Sequence, residues 1–200
     1  MTEPHDGGFE YWNERYEKEG ASYVGKNSMD ERLCEDQMNK FWGALREVFK
    51  DCDHVLDFGC GTGRLYPHVL PHVTDYTGCD IVDTVLDHPI SMPFYQIFKG
   101  KPLPLQDNSV DAVVGCTVFQ HMIEIDDFRW WIKECKRVTR DTGTIYLIES
   151  LLNGQNFSDM QYRSYEETAK EFHLGDCTVQ DLNIDEPKSH YLLYGSNCKK

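Results

Sequence analysis

The chain has 200 residues, 40% hydrophobic and 27% charged, which suits one compact domain over residues 1–200 and excludes a disordered or fibrous chain. Its formal charge of -14 argues against nucleic acid as a partner, because affinity for polyanions comes from Lys and Arg neutralising phosphates. The eight cysteines form no CxxC pair, so the pattern supports neither a zinc site nor a redox dithiol, and no metal is expected.

Residues 1–6 lack the positive n-region and apolar run of a secretory signal, and no apolar stretch approaches the roughly 20 residues that span a bilayer. The expectation is a cytoplasmic protein without a membrane partner. Residues 1–50 read as a helical cap on a core of residues 51–200. Within the cap, residues 9–25 are dense in aromatics, with Tyr11, Trp12, Arg15 and Tyr16 at helical spacing. Ser28 and Glu31 then read as a capping box, followed by Leu33, Phe41, Leu45, Val48 and Phe49 along one helix face.

Strand-like runs follow at His54 to Phe58, Asp75 to Cys79, Phe94 to Phe98, Val110 to Cys116 and Thr144 to Ile148, separated by helical or loop-like stretches. Phe128, Trp131, Ile132, Cys135 and Val138 mark the apolar face of a helix before the fifth run, with Asp141 to Gly143 as the turn into it. Lys133, Lys136, Arg137 and Arg140 read as a solvated face of that helix. Ser164 and Glu167 cap a further helix ending near Phe172, and Cys177 to Asp181 with His190 to Gly195 form a closing antiparallel hairpin around Pro187. The pattern is a doubly wound α/β sheet of seven strands, mixed by that hairpin, with helices on both faces.

The strongest local signal is HVLDFGCGTGRL, residues 54–65. A short apolar strand runs into glycines at alternate positions, where the backbone turns sharply and a side chain would obstruct a ligand. Gly59, Gly61 and Gly63 give GxGxG, with Arg64 following, and not the GxGxxG of a dinucleotide site. Asp80 ends the second strand, where a carboxylate can accept both hydroxyl hydrogens of a ribose, and Ile81 offers an apolar face to an adenine ring. The passages LPLQDNSVDAVV (103–114) and IKECKRVTRDTGTIYLIE (132–149) come later in order. Asp111 is assigned to the start of a strand and to no chemistry.

Together these residues resemble the class I S-adenosylmethionine (SAM)-dependent methyltransferase family from about residue 54 onward. The resemblance implies a Rossmann-like sheet and SAM as cofactor. It places Asp57, Gly59, Cys60, Gly61 and Gly63 around the methionine part, Asp80 at the ribose, Ile81 at the adenine and Thr117 beside them. The family often has an acidic residue shortly before the LP pair, where this chain has Lys99 and Gly100. The aromatic segment is similar to the WxxRY-type entrance helix of several small-molecule methyltransferases, so Tyr11 and Arg15 are expected to lid the cofactor; the alternative is an amphipathic helix with its rings in the core. Candidate acids and bases are His121, Glu149 and Tyr162. For each there is a plainer alternative: His121 shaping the cofactor site, Glu149 as a solvated strand-end carboxylate, and Tyr162, which with Arg163 is expected to line the acceptor pocket, in a solvated loop. The expected partner is a small-molecule methyl acceptor, with a protein acceptor and a non-catalytic SAM-binding protein as alternatives.

Overall fold

The computed structural model describes residues 8–20, 39, 42–43, 45–46, 49, 51–84, 91–150, 163–181 and 190–197. The strands are β1 (His54–Phe58), β2 (Asp75–Asp80), β3 (Phe94–Gln96), β4 (Val110–Cys116), β5 (Thr139–Ser150), β6 (Leu174–Asp181) and β7 (His190–Asn197). They form one sheet in the order β3-β2-β1-β4-β5-β7-β6. The pairs β1–β2, β1–β4, β2–β3 and β4–β5 are parallel, whereas β7 runs antiparallel to both β5 and β6. The mixed seven-stranded sheet expected from the sequence is therefore present, with the closing pair inserted so that β7 lies inside β6. Pro187 and the residues around it lie outside the described residues, as do Ser28, Glu31, Leu33, Phe41 and Val48.

Strands in the middle of such a sheet are covered on both faces, so they read as continuous apolar runs. Alternate residues feed two cores. Val55, Ala112, Val114, Tyr146 and Ile148 face a layer with Leu45, Phe49, Tyr66 and Val69. Leu56, Val113, Ile145 and Leu147 face the opposite layer with Phe119, Phe128, Trp131, Ile132, Cys135, Val138 and Phe172.

The helices are α1 (Phe9–Glu19), α2 (Tyr66–Val69), α3 (Ile125–Val138) and α4 (Tyr165–Phe172). In α4 the Ser164 hydroxyl accepts from Glu167 N and the Glu167 carboxylate accepts from Ser164 N, which is the capping box read from the sequence. The apolar face read for α3 is buried as expected. By contrast, α1 has no buried residue. Among the described residues no helix is long and apolar enough to cross a membrane.

Two sequence expectations need correction. Asp141 to Gly143 do not form a turn but belong to β5, whose pairing with β4 shifts register between Val110–Thr139 and Ala112–Thr144. The irregularity brings Asp111 O so close that a Cβ on Gly143 would lie 2.6 Å from it, so only glycine fits there. The basic run is a solvated face only in part: Lys133 and Arg140 are exposed, whereas Lys136 and Arg137 are half-buried. Arg137 turns beneath the 103–107 loop, donating to the carbonyls of Leu103 (3.0 Å) and Leu105 (2.9 Å) and to Asp107 (2.7 Å). Lys136 donates to Phe172 O at the end of α4, and Arg140 pairs with Asp111.

Asp111 also accepts from Asp53 N (3.0 Å) and His54 N (2.9 Å), fixing the entry to β1. Replacing it orphans backbone donors, so Asp111→Ala should lower the unfolding free energy by about 1–3 kcal/mol, with Asp111→Asn recovering part of the loss because its amide oxygen still accepts. Urea denaturation checks this; an Ala variant as stable as the parent contradicts it.

Candidate active site

At the carboxyl end of β1 the chain turns through Gly59 (φ 72°), Gly61 (φ 53°) and Gly63 (φ 76°). All three lie in the left-handed region that disfavours side chains. At Gly59 the restriction is also steric, since a Cβ there would lie 2.4 Å from the Val118 side chain. Gly59 N and Cys60 N donate to Cys79 O at 2.8 and 3.0 Å, joining the turn to the tip of β2.

Asp80 completes the joint. Its Oδ2 accepts from Gly61 N (2.9 Å) and its Oδ1 from Val82 N (3.0 Å), while the Thr84 hydroxyl donates to Gly61 O (2.6 Å). The Gly61 residue is thus held at both its N–H and its carbonyl. A carboxylate has about four acceptor positions, so one bond on each oxygen leaves capacity for two further hydroxyl donors. Beside it Ile81 packs on the second core, and its carbonyl accepts from Gln96 Nε2. An acceptor carboxylate beside an apolar side chain has the chemistry to take ribose hydroxyls and an adenine face.

Asp57, one strand over, is buried and accepts from the Tyr76 hydroxyl. Burial pushes its carboxyl up to about 7, against the Tyr76 bond and Arg64, with Asp80 adding repulsion. Burial likewise raises Asp80 to about 6, opposed by its backbone donors. The Cys60 thiol is raised by burial as well and donates to Gly61 O, so it is a packed, uncharged group and not a nucleophile.

The other half of the site stands at the ends of β4 and β5. Thr117 has φ 57°, an unfavourable conformation for a β-branched residue that costs on the order of 1–3 kcal/mol and persists only where its surroundings impose it. Here Thr117 N donates to Ile148 O at 2.6 Å. The 3-10 turn Phe119–His121 follows. Glu149, 2% exposed, accepts from Val118 N, Phe119 N and Gln120 N at 3.0 to 3.2 Å. It is not a solvated strand-end carboxylate. Burial raises it to about 7, against those three donors and Arg163.

His121 lies edge-to-face with Trp12 of α1, ring centroids 4.8 Å apart, and Phe9 contacts Phe98 beyond β3 at 6.4 Å. The helix thus reaches the ends of both halves of the sheet. Tyr11 packs on Trp12; Arg15 lies over the Trp12 ring, pairs with Glu19 and reaches the Tyr11 hydroxyl. With no residue buried in the core, α1 fits the lid reading. Tyr162 lies outside the described residues. Lys99, in place of the acidic residue common before the LP pair, pairs with Asp127 at 2.7 Å, and the loop is held instead by Glu134, which accepts from Leu103 N.

Sequence reasoning missed Thr84 and Tyr76, whose site partners lie 23 and 19 residues away; no motif announces them. Arg163, read from the sequence as lining the acceptor pocket or lying in a solvated loop, is instead buried.

A sequence model of the methyltransferase domain family matches residues 56–147. No curated protein sequence matches the chain. Among solved structures the fold is similar to that of DhpI in its complex with SAM and HEP (TM-score 0.69, 14% identity, 97% of this chain and 99% of that one). It is also similar to a Pyrococcus horikoshii OT3 protein (0.69, 15%, 90% and 98%). A third is a SAM-dependent methyltransferase from Archaeoglobus fulgidus (0.65, 13%, 84% and 100%). At these identities the likeness is one of fold.

The raised carboxyls set a pH dependence. Because Asp57, Asp80 and Glu149 stand near 7, 6 and 7 when folded, above their ordinary values, their support for the fold is complete below the unfolded values and is lost as pH rises through about 6–7. The melting temperature of the ligand-free protein should therefore fall between about pH 5 and 8, and Asp80→Asn should flatten the part near pH 6. A variant that tracks the parent at every pH would contradict the Asp80 contribution.

Proposed function

We propose that this chain, whose residues 56–147 match a methyltransferase domain model on a fold similar to that of DhpI, is a SAM-dependent enzyme that methylates a nitrogen, oxygen or sulfur of a small molecule in the cytoplasm. The observation that carries the reading is the joint in which Asp80 binds Gly61 N and Val82 N and keeps acceptor capacity on both oxygens. Bound SAM supplies a methyl group on a sulfonium, which is already a good leaving group.

The chain's own task is then mostly to hold and exclude. Asp80 takes the ribose hydroxyls, Ile81 backs the adenine, and the backbone from Gly59 to Gly63, with Cys60, Asp57 and Thr117, borders the methionyl part. Tyr11 and Arg15, one turn apart on α1, close over the same end. Orientation of this kind supplies up to about 7–11 kcal/mol of barrier reduction in well-aligned systems, so a base is needed only where the accepting atom carries a proton. His121, whose ring lies against Trp12, is our first candidate for that role and Tyr162 the second, while Glu149 supports the turn that carries His121. A helix laid across the strand ends suits a small acceptor better than a polymer. The charge of -14 favours, as second reading, a basic protein acceptor.

Incubating the enzyme with lysate and methyl-labelled SAM separates these. Label in small metabolites supports the first reading, label in protein the second, and SAM binding without any transfer a non-catalytic role. Trp12→Ala should then lower turnover, with the small-molecule fraction as acceptor source, more than it lowers SAM affinity, because a lid acts on water exclusion and alignment. Its melting temperature should change little, since Trp12 is only partly buried and no residue of α1 enters the core. A large drop in melting temperature, or full turnover, contradicts the lid.

A further inference from the structure

The turn from Thr117 to Ile123 is held from two sides by opposite charges. On one side the Glu149 carboxylate takes the N–H groups of Val118, Phe119 and Gln120. On the other, the Arg163 guanidinium donates to the carbonyls of Phe119 (3.3 Å), Met122 (2.7 Å) and Ile123 (3.5 Å). The negative group meets the turn's leading N–H groups and the positive group its trailing carbonyls, which is the favourable sense of its dipole. Arg163 further lies 3.9 Å over the Phe128 ring at the start of α3. Its backbone is fixed by the next residue, Ser164, which caps α4.

Both charges are buried, Arg163 at 9% and Glu149 at 2% exposure. A buried opposite-charge pair is a weak source of stability compared with apolar packing, but a planar guanidinium with donors in a fixed fork defines position. Among the described residues, the hydrogen bonds of these two side chains end on this one turn. What the turn presents is His121, against Trp12 and 3.4 Å from the Gln120 side-chain amide.

We propose that Glu149 and Arg163 are a two-sided clamp that sets the position of His121, making Arg163 a positioning residue for the acceptor end of the site. The functional half of this rests on His121 serving that end, as read above. In sequence Glu149 lies one residue before the end of β5 and Arg163 directly before the cap of α4.

The test compares the parent, Arg163→Lys and Arg163→Ala by NMR of the His121 and Trp12 rings, with amide exchange at Val118, Phe119 and Gln120 and calorimetric titration of SAM. The clamp predicts that Arg163→Ala loses the ring-current shifts of the His121–Trp12 pair and the protection of the three amides. Arg163→Lys, which keeps the charge without the fork, retains part of both. SAM affinity should fall by less than about tenfold in either variant, because Asp80 and the glycine turn are untouched. A folded Arg163→Ala with parental shifts overturns the proposal. If the Ala variant does not fold, Arg163→Lys decides, and parental shifts and protection there overturn it too. Rapid exchange of the three amides in the parent overturns it without any variant. Failure of the parent to bind SAM would instead reject the cofactor reading, leaving the ring shifts to report on the clamp.

Discussion

The residue Gly61, gripped by Asp80 at its N–H and by Thr84 at its carbonyl, is the constraint on which the rest of the site depends. A turn with three residues at positive φ is not stable by itself, since glycine loses more conformational freedom on ordering than any other residue. It is held by the tip of the neighbouring strand. The parallel register that sets Phe58 against Cys79 brings Cys79 O to the first two amides of the turn and Asp80 to the third. Placing Asp57 and Asp80 in a buried position raises both carboxyls; ligand hydroxyls and a cationic sulfonium are groups that would favour their ionised forms.

The site divides along the sheet. On the proposed function, β1 and β2 form the cofactor end. β4 and β5 form the other end, where Thr117 holds its strained backbone because Ile148 O fixes its N–H. Glu149 then gathers the next three amides. The helix α1 reaches both ends, through Phe98 and His121, and it does so with aromatic contacts at its surface. Such an element is held by few apolar contacts and can open at low cost compared with the core.

Much of this was legible in the sequence because the informative residues are near one another in the chain. The strand, the GxGxG turn and Asp80 lie within 27 residues, and β1 and β4 begin and end where the apolar runs do. The capped helix α4 and the closing antiparallel pair were legible for the same reason. The start of β5 was hidden because Asp141 to Gly143 read as a turn, and the pairing with β4 from Val110 onward draws them into the sheet. The role of Glu149 was hidden because its three donors are backbone amides 29 to 31 residues away. Backbone groups carry no sequence signature, and Arg163, Thr84 and Arg137 were obscured in the same way.

The central claim is that the Gly59–Gly63 turn and Asp80 form a SAM site. Calorimetric titration of the purified chain with SAM, and separately with NAD, tests it most directly. The account predicts saturable heat for SAM with a dissociation constant in the micromolar range, and none for NAD. Saturable NAD binding with no SAM heat from a folded protein would contradict it.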